Sequence, residues 1–261
     1  MKNKDKTAHV CVITNNKGGV GKSTTAEALA DGLVIRSFKT LLIDLDPQGS
    51  LSTNFVQSHA TTYEVMTKQA NIMDAVQHRK DRADILTSSK SLARLTAELV
   101  DTGKEYRLRE VLAPALPCYD YIIVDTPPAL SVLTVNALTA ASSLIIPAQA
   151  DIYSLQGIGQ LMESVDAIRT YTNPVLKLMG ILLTRHNARS ILSRDMADLA
   201  QLTAEKIETF LYKTVIRESV TVKEAQANRQ SLYEYAPKSN PALDYMDFVT
   251  EFAERSVRVD A

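Results

Sequence analysis

The sequence predicts an α/β fold in which helices cover both faces of a doubly wound, mainly parallel sheet. Short β-branched apolar runs recur along the chain, and stretches with helical periodicity separate them. Near-continuous hydrophobicity in each run is typical of strands buried on both faces, which parallel sheets contain. The predicted strands are Val10–Thr14, Thr40–Asp44, Asp84–Ser88, Tyr121–Asp125, Ser143–Pro147 and Leu178–Thr184, with a weaker run at Thr214–Ile216.

Helices are predicted between these strands and after the last of them. They are Lys22–Arg36, Ser91–Leu99, Tyr106–Leu116, Val132–Ala140, Ser154–Tyr171, Arg194–Glu208 and Pro241–Arg255. Ser193 and Asn240 are predicted N-caps, because their side chains can accept from a first-turn N–H. No repeat or Gly/Ser linker divides the chain. We therefore expect a flexible N-terminus at residues 1–8 and a single domain at residues 9–261.

The composition excludes several classes of protein. Of the 261 residues, 45% are hydrophobic and 23% charged, which is unlike fibrous or disordered chains. Because 29 basic residues are balanced by 30 acidic ones, the net charge is -1, and DNA binding would need a local basic patch. Neither the two cysteines nor the four histidines have metal-ligand spacing. The polar, lysine-rich start has no signal-peptide core, so we expect a cytoplasmic protein.

A glycine-rich turn separates the first predicted strand from the first predicted helix. Gly18, Gly19 and Gly21 allow backbone N–H groups to curl around phosphate oxygens at the start of a helix. In this pattern Lys22 reaches the β- and γ-phosphates, and the Ser23 hydroxyl completes a Mg²⁺ shell. The predicted ATP-binding residues here are Lys17, Gly18, Gly19, Val20, Gly21, Lys22, Ser23 and Thr24.

Two aspartates end buried strands at the edge where open α/β sheets collect their ligands. Asp44 is predicted to orient the attacking water and to contact Mg²⁺ through a water. Asp125 is predicted to hold Mg²⁺ through a water. The alternative for each is a structural one, in which the carboxylate only caps the turn that follows its strand.

These segments resemble the motifs of one family. Lys17-Gly-Gly-Val-Gly-Lys22-Ser resembles the deviant Walker A motif of the ParA/MinD (SIMIBI) ATPases. Asp44-Leu-Asp-Pro-Gln-Gly resembles that family's Walker A′ segment, and Asp125-Thr-Pro-Pro its switch II segment. The resemblance implies an ATPase in which Asp44, Lys17 and Lys22 are catalytic. It also implies an ATP-dependent sandwich homodimer, with Lys17 reaching phosphates on the partner subunit.

The resemblance extends from residue 9 to about residue 255 and is greatest to ParA/Soj-type partitioning ATPases, with a divergence that suggests a plasmid or other mobile-element member. It implies nonspecific DNA binding in the ATP state, slow hydrolysis stimulated by a ParB-like adaptor, nucleoid association and no membrane. The predicted DNA-binding residues are Arg185, Arg189, Arg217 and Lys223. Arg217 and Ser219 replace a proline and an asparagine of the family's base segment, and are the predicted base contacts.

Two alternatives remain open at this stage. A MinD-type membrane ATPase needs a basic amphipathic C-terminus, whereas the segment 248–261 mixes acidic and basic residues. A cargo-positioning or metabolic relative would hydrolyse ATP without binding DNA, since fold alone does not fix function. The mixed-charge run Arg79–Arg82 is interpreted as a solvated turn.

Overall fold

A six-stranded parallel sheet forms the centre of the computed structural model, which describes residues 7–54, 60–187 and 191–259. The strands are β1 His9–Ile13, β2 Thr40–Asp44, β3 Asp84–Leu86, β4 Tyr121–Asp125, β5 Ser143–Gln149 and β6 Lys177–Thr184. Their order across the sheet is β3-β2-β4-β1-β5-β6. The predicted fold class is therefore confirmed.

The weaker predicted strand at Thr214–Ile216 was wrong, because this segment makes only scattered contacts with β6. The Ile216 N–H donates to the Leu183 carbonyl at 2.8 Å, and isolated bridges flank this bond. The N–H and hydroxyl of Thr214 donate instead to the Glu251 carboxylate, each at 3.3 Å. Bonding to a helix side chain thus replaces the ladder that a seventh strand would form.

Helices connect the strands and cover both faces of the sheet. They are α1 Lys22–Ile35, α2 Thr62–Met66, α3 Ile72–Ala75, α4 Leu95–Glu98, α5 Arg107–Leu112, α6 Val132–Ala140, α7 Ile152–Tyr171, α8 Ile191–Lys206, α9 Val220–Ala227, α10 Leu232–Tyr235 and α11 Asn240–Val259. Three short 3₁₀ helices lie at Ser52–Asn54, Lys90–Arg94 and Lys104–Tyr106. The predicted cap Ser193 falls inside α8, which begins two residues earlier.

Alternation along the strands divides the core into two layers. In β1, Val10 and Val12 pack with α2 to α8, whereas Cys11 and Ile13 pack with α1 and α9 to α11 on the opposite face. Burial raises the pKa of the Cys11 thiol to about 12, so this cysteine behaves as an apolar core residue. Both faces of the central strands are covered, which explains why they are apolar throughout.

Strand register determines where the polar strand ends meet. Asp44, the last residue of β2, lies opposite Asp125, the last residue of β4. Asp125 in turn lies opposite Ile13 at the end of β1. The glycine-rich turn follows β1, so the turn and both aspartates share the carboxyl edge of the sheet.

The Arg79–Arg82 run is a turn with Lys80 and Asp81 exposed, but the interpretation of it as solvated was wrong for its two arginines. The Arg79 and Arg82 side chains are only 10% and 12% exposed. Arg82 Nε lies 2.9 Å from Asp31 and its Nη2 lies 2.6 Å from Glu27, both on α1. These buried pairs fasten the segment before β3 to the helix that begins at the glycine-rich turn.

Within the described ranges, no helix has an apolar stretch long enough to span a bilayer.

Two helical glycines give a test of core packing. A Cβ at Gly32 in α1 would lie 2.6 Å from Val249 Cγ2 and 2.9 Å from the Tyr233 hydroxyl, whereas one at Gly159 in α7 would meet nothing within 4 Å. We expect Gly32→Ala to lower the free energy of unfolding by about 1–3 kcal/mol through overpacking. Gly159→Ala, the matched control, should raise it by about 0.5–1 kcal/mol through helix propensity. Urea denaturation measures both, and equal effects would contradict this packing.

Candidate active site

The glycine-rich turn has the backbone shape of an anion cradle. Gly19 and Gly21 have φ values of 77° and 87°, a region that residues with a Cβ rarely adopt. Gly21 is the N-cap of α1, and no side chain caps this helix. The first N–H groups of α1 thus face the turn with the positive end of the helix dipole behind them.

Polar side chains from strand ends hold the turn in place. Asn15 donates to the β5 backbone at 2.8 Å and accepts from the N–H of Lys17 at 3.0 Å. Thr184, at the end of β6, donates to the turn at 2.8 Å, and Gln149, at the end of β5, donates to it at 3.1 Å. Sequence reasoning missed these three residues, although each is a polar residue at the carboxyl edge of the sheet.

Lys22 lies under the turn and beside acidic groups. Lys22 is 7% exposed, and its Nζ donates to the carbonyl of Lys17 at 2.9 Å. Burial lowers the pKa of Lys22, while Asp125 and then Asp46 act in the opposite direction. A cation held at this position suits a phosphate group above the turn.

Lys17, the lysine predicted to reach phosphates on the partner subunit, forms an ion pair within its own chain. Its Nζ is 2.7 Å from each carboxylate oxygen of Asp151. Asp151 also caps α7, because its Oδ1 accepts from the N–H of Ser154 at 2.9 Å. The contact with Lys17, together with this N–H bond, lowers the pKa of Asp151 despite its desolvation.

Asp44 is buried, and both its carboxylate oxygens are occupied. Oδ2 accepts from the Ser52 hydroxyl at 2.6 Å and from the Ser52 N–H at 3.1 Å, while Oδ1 accepts from the Asp46 N–H at 3.0 Å. Burial raises the pKa of Asp44 to about 6, although the Ser52 hydrogen bond opposes this shift. Such contacts suit the structural alternative, in which Asp44 fastens the loop after β2.

Asp125 is fully buried, and neither of its oxygens makes a hydrogen bond of normal geometry. Burial and then the charge of Asp44 raise its pKa well above the ordinary value, while the nearby Ser23 hydroxyl lowers it. Buried acceptors without donors require a physical explanation. Carboxylate and hydroxyl oxygens are ligands that Mg²⁺ prefers, so Asp125 and Ser23 fit a magnesium site.

Asp46 is the acidic residue of the site that sequence reasoning passed over. It is 8% exposed, and its Oδ1 accepts from the Gln48 N–H at 2.9 Å. Its Oδ2 makes no hydrogen bond within the described ranges. The Asp-Leu-Asp spacing was the available signal, because only the second aspartate lies beyond the strand.

The two predicted base contacts lie close to the turn, and each also makes a contact within the fold. Arg217 forms a bidentate ion pair with Asp244 of α11, in which Nη2 donates to Oδ1 at 2.5 Å and Nε donates to Oδ2 at 2.9 Å. Ser219 caps α9 by accepting from the Thr221 N–H at 3.2 Å. Both residues line a small cavity that also includes Gly21.

The predicted DNA contacts that the structure describes all line the cavity beside Gly21. Arg185, directly after β6, and Lys223, on α9, are both exposed and line that same cavity. Arg217 is held by Asp244, as described above. Arg189 lies outside the described residues.

Known proteins are similar to this chain in sequence and in fold. Residues 8–178 match a family described as an AAA domain. The sporulation initiation inhibitor protein Soj of Bacillus subtilis is 35% identical, with 94% of this chain and 98% of Soj covered. The chromosome partitioning protein ParA of Caulobacter vibrioides is also 35% identical, with 94% of each chain covered.

Two groups of solved structures are also similar. Cobyrinic acid a,c-diamide synthase from Mycobacterium smegmatis, with bound ATP analogue and magnesium, has a TM-score of 0.81, 30% identity and 93% of each chain covered. A Cyanothece McdA variant in complex with ATP has a TM-score of 0.83 and 25% identity, with 95% of this chain and 97% of that chain covered. The chain thus belongs to the Soj/ParA family of P-loop ATPases.

Proposed function

We propose that this protein is a DNA-segregation ATPase whose ATP-bound dimer binds DNA nonspecifically and releases it after hydrolysis. One observation carries the proposal: the glycine-rich turn, Lys17, Lys22 and Asp125 share one sheet edge, in a chain similar to Soj and ParA over almost its whole length. Solved relatives with bound ATP or an ATP analogue and magnesium support the choice of ligands.

The chain's own groups supply binding and orientation. The N–H groups from Gly18 to Thr24 and the Lys22 ammonium would bind the phosphates, and Ser23 and Asp125 would hold Mg²⁺. A metal bound there would neutralise charge that develops on the phosphate oxygens. In-line transfer to water then depends mainly on positioning.

We assign the water-orienting role to Asp46, in place of the sequence-based assignment to Asp44. Both oxygens of Asp44 accept hydrogen bonds, so the carboxylate is fixed away from any incoming water. Asp46 keeps one oxygen without a hydrogen bond within the described chain and is close enough to Lys22 to influence its pKa. It can therefore orient a water on the phosphate side of the site.

Dimerisation would require Lys17 to exchange partners. In the single chain its ammonium is paired with Asp151, and the two side chains are 31% and 34% exposed. Partly exposed ion pairs contribute only about 0.2–1 kcal/mol, so a nucleotide phosphate of a second subunit can compete for this lysine. ATP would then favour the dimer because it binds that state better.

DNA binding would rest on Arg185 and Lys223, exposed basic residues near the nucleotide site, whereas the exposed Arg217 beside them is paired with Asp244. Contacts of this kind go to phosphates and carry no sequence information. A ParB-like adaptor would stimulate hydrolysis and so release the DNA. Likeness to cobyrinic acid a,c-diamide synthase favours a second candidate, an ATPase that acts on a small molecule and ignores DNA.

The first test compares the two aspartates of the loop after β2. Asp46→Ala should bind ATP normally and lower kcat at least about 100-fold, because a positioned proton acceptor is lost. Asp44→Ala should lower the free energy of unfolding by about 1–3 kcal/mol, because it leaves buried donors unpaired. Nucleotide binding, phosphate release and urea denaturation measure these effects. The assignment to Asp44 would stand if only Asp44→Ala stopped hydrolysis and its stability were unchanged.

A second test uses the buried charge of Asp125. Its pKa in the fold lies above the ordinary value of 3.8, so ionisation costs stability as pH rises above that value. Asp125→Asn removes this cost, and the nucleotide-free variant should melt at a higher temperature than the wild type at pH 8. The difference should disappear below about pH 4, where the carboxyl is protonated even when unfolded.

The same Asp125 variant should gain no further stability when Mg²⁺ is added to its ATP complex, unlike the wild type. Asp166→Asn is the control, because the Asp166 side chain is 70% exposed. Identical pH profiles for Asp125→Asn and the wild type would contradict the buried-charge explanation.

A third test addresses DNA. With Asp46→Ala holding the ATP state, Arg185→Ala and Lys223→Ala should each weaken binding to unrelated duplex DNA. Each should also reduce the slope of log affinity against log salt by about 1, as expected for one lost phosphate contact. Lys90→Ala is the control, because Lys90 follows β3, which lies at the other end of the strand order from β6 and Arg185. If the protein bound no DNA in any nucleotide state, the result would instead favour the ATPase that acts on a small molecule.

A further inference from the structure

An apolar groove runs between α6, α7 and the 3₁₀ helix Lys104–Tyr106. Its apolar lining consists of Leu130, Val132, Val135, Ala167, Ile168 and Tyr171. Leu130 is 48% exposed and Tyr171 is 80% exposed. Contiguous apolar surface of this kind marks interaction sites in soluble proteins, and exposed aromatics often anchor partners.

The walls of the groove are fixed by hydrogen bonds. Asn136 of α6 donates to the Lys104 carbonyl and accepts from the Leu108 N–H, each at 2.9 Å. At one end the Tyr106 hydroxyl donates to the Tyr171 carbonyl at 3.4 Å. A groove held in this way needs little ordering when a partner binds.

The charges on the rim favour a basic partner. Glu105 lies on the wall formed by the 3₁₀ helix, and Glu163 lies on α7. Lys104 is the basic residue of the lining, so carboxylates outnumber ammonium groups. None of these three side chains has an ion pair within the described ranges. Lys or Arg residues on a partner would find unpaired carboxylates on both walls.

We infer that this groove docks an amphipathic helix of a partner protein, with an apolar stripe on its inner face and basic residues along its flanks. A helix in a groove presents side chains three and four residues apart, which suits a long apolar floor between two walls. The inference goes beyond the proposed ATP switch, because docking requires neither nucleotide nor DNA. The lining includes Leu130, which lies in the loop between Asp125 and α6.

The test uses synthetic peptides and the full chain without nucleotide. The probe is a fluorescein-labelled Leu/Lys amphipathic helix of about 18 residues, long enough to be helical. One comparison peptide keeps the same apolar face with Glu in place of Lys, and another scrambles the Leu/Lys sequence at equal charge. By fluorescence anisotropy, the Leu/Lys helix should bind at least about tenfold more tightly than either, a difference of about 1.4 kcal/mol.

Variants locate the binding. Leu130→Glu and Tyr171→Glu should each weaken Leu/Lys binding about tenfold, and Glu163→Lys should weaken it through charge. Leu202→Glu is the matched control, because Leu202 on α8 is 61% exposed and lies outside the groove. All four variants should bind ATP and melt like the wild type, which separates failure here from failure of the proposed ATPase.

Three results would overturn the inference. The peptides could bind without regard to charge or pattern, or the groove variants could bind as tightly as Leu202→Glu. Light scattering could also show a nucleotide-independent dimer that Tyr171→Glu dissociates, and the occupant would then be a second copy of this chain.

Discussion

Two buried carboxylates in adjacent positions of the central strands constrain the rest of the site. Asp44 and Asp125 are paired across β2 and β4, and the charge of Asp44 raises the cost of ionising the buried Asp125. Ser52 donates to Asp44, while Lys22 and Ser23 partly compensate Asp125. The surrounding groups are therefore polar donors and one lysine, and a divalent cation is the ligand that best fits the remaining negative charge.

The loop after β2 is fixed by the same interaction. Ser52 donates to Asp44 and accepts from the Ser88 N–H at 2.6 Å, while the Ser88 hydroxyl donates to the Asp46 carbonyl at 2.7 Å. This chain of hydrogen bonds connects the first aspartate to the backbone of the second. Asp44 is thus connected to Asp46 through the loop, so under the proposed assignment a fully buried carboxylate would affect the reaction by positioning Asp46.

The central strands and the glycine-rich turn could be predicted from the sequence, because burial on both faces and tight turns leave local signals. The contacts that could not be predicted from the sequence share a different cause. Arg82 pairs with Asp31, and Arg217 with Asp244, across long stretches of sequence. Local composition describes such arginines as surface charges, since the carboxylate that pairs with each of them is not visible in the same segment. The role proposed for Asp46 could not be predicted, because it depends on which oxygens of its neighbour are already occupied.

Helix α7 connects the contact with Lys17 at its first turn to the apolar groove at its last turn. Asp151 caps its first turn and holds Lys17, while Tyr171 at its last turn lies in the apolar groove. In the proposed dimer, where Lys17 would bind a phosphate of the second subunit, Asp151 would keep its hydrogen bonds within α7 and the charge at that helix end would change. A partner seated in the groove would pack against the same helix. Subunit pairing and partner docking would therefore both act on α7, and either event could bias the other only through differential contacts with it.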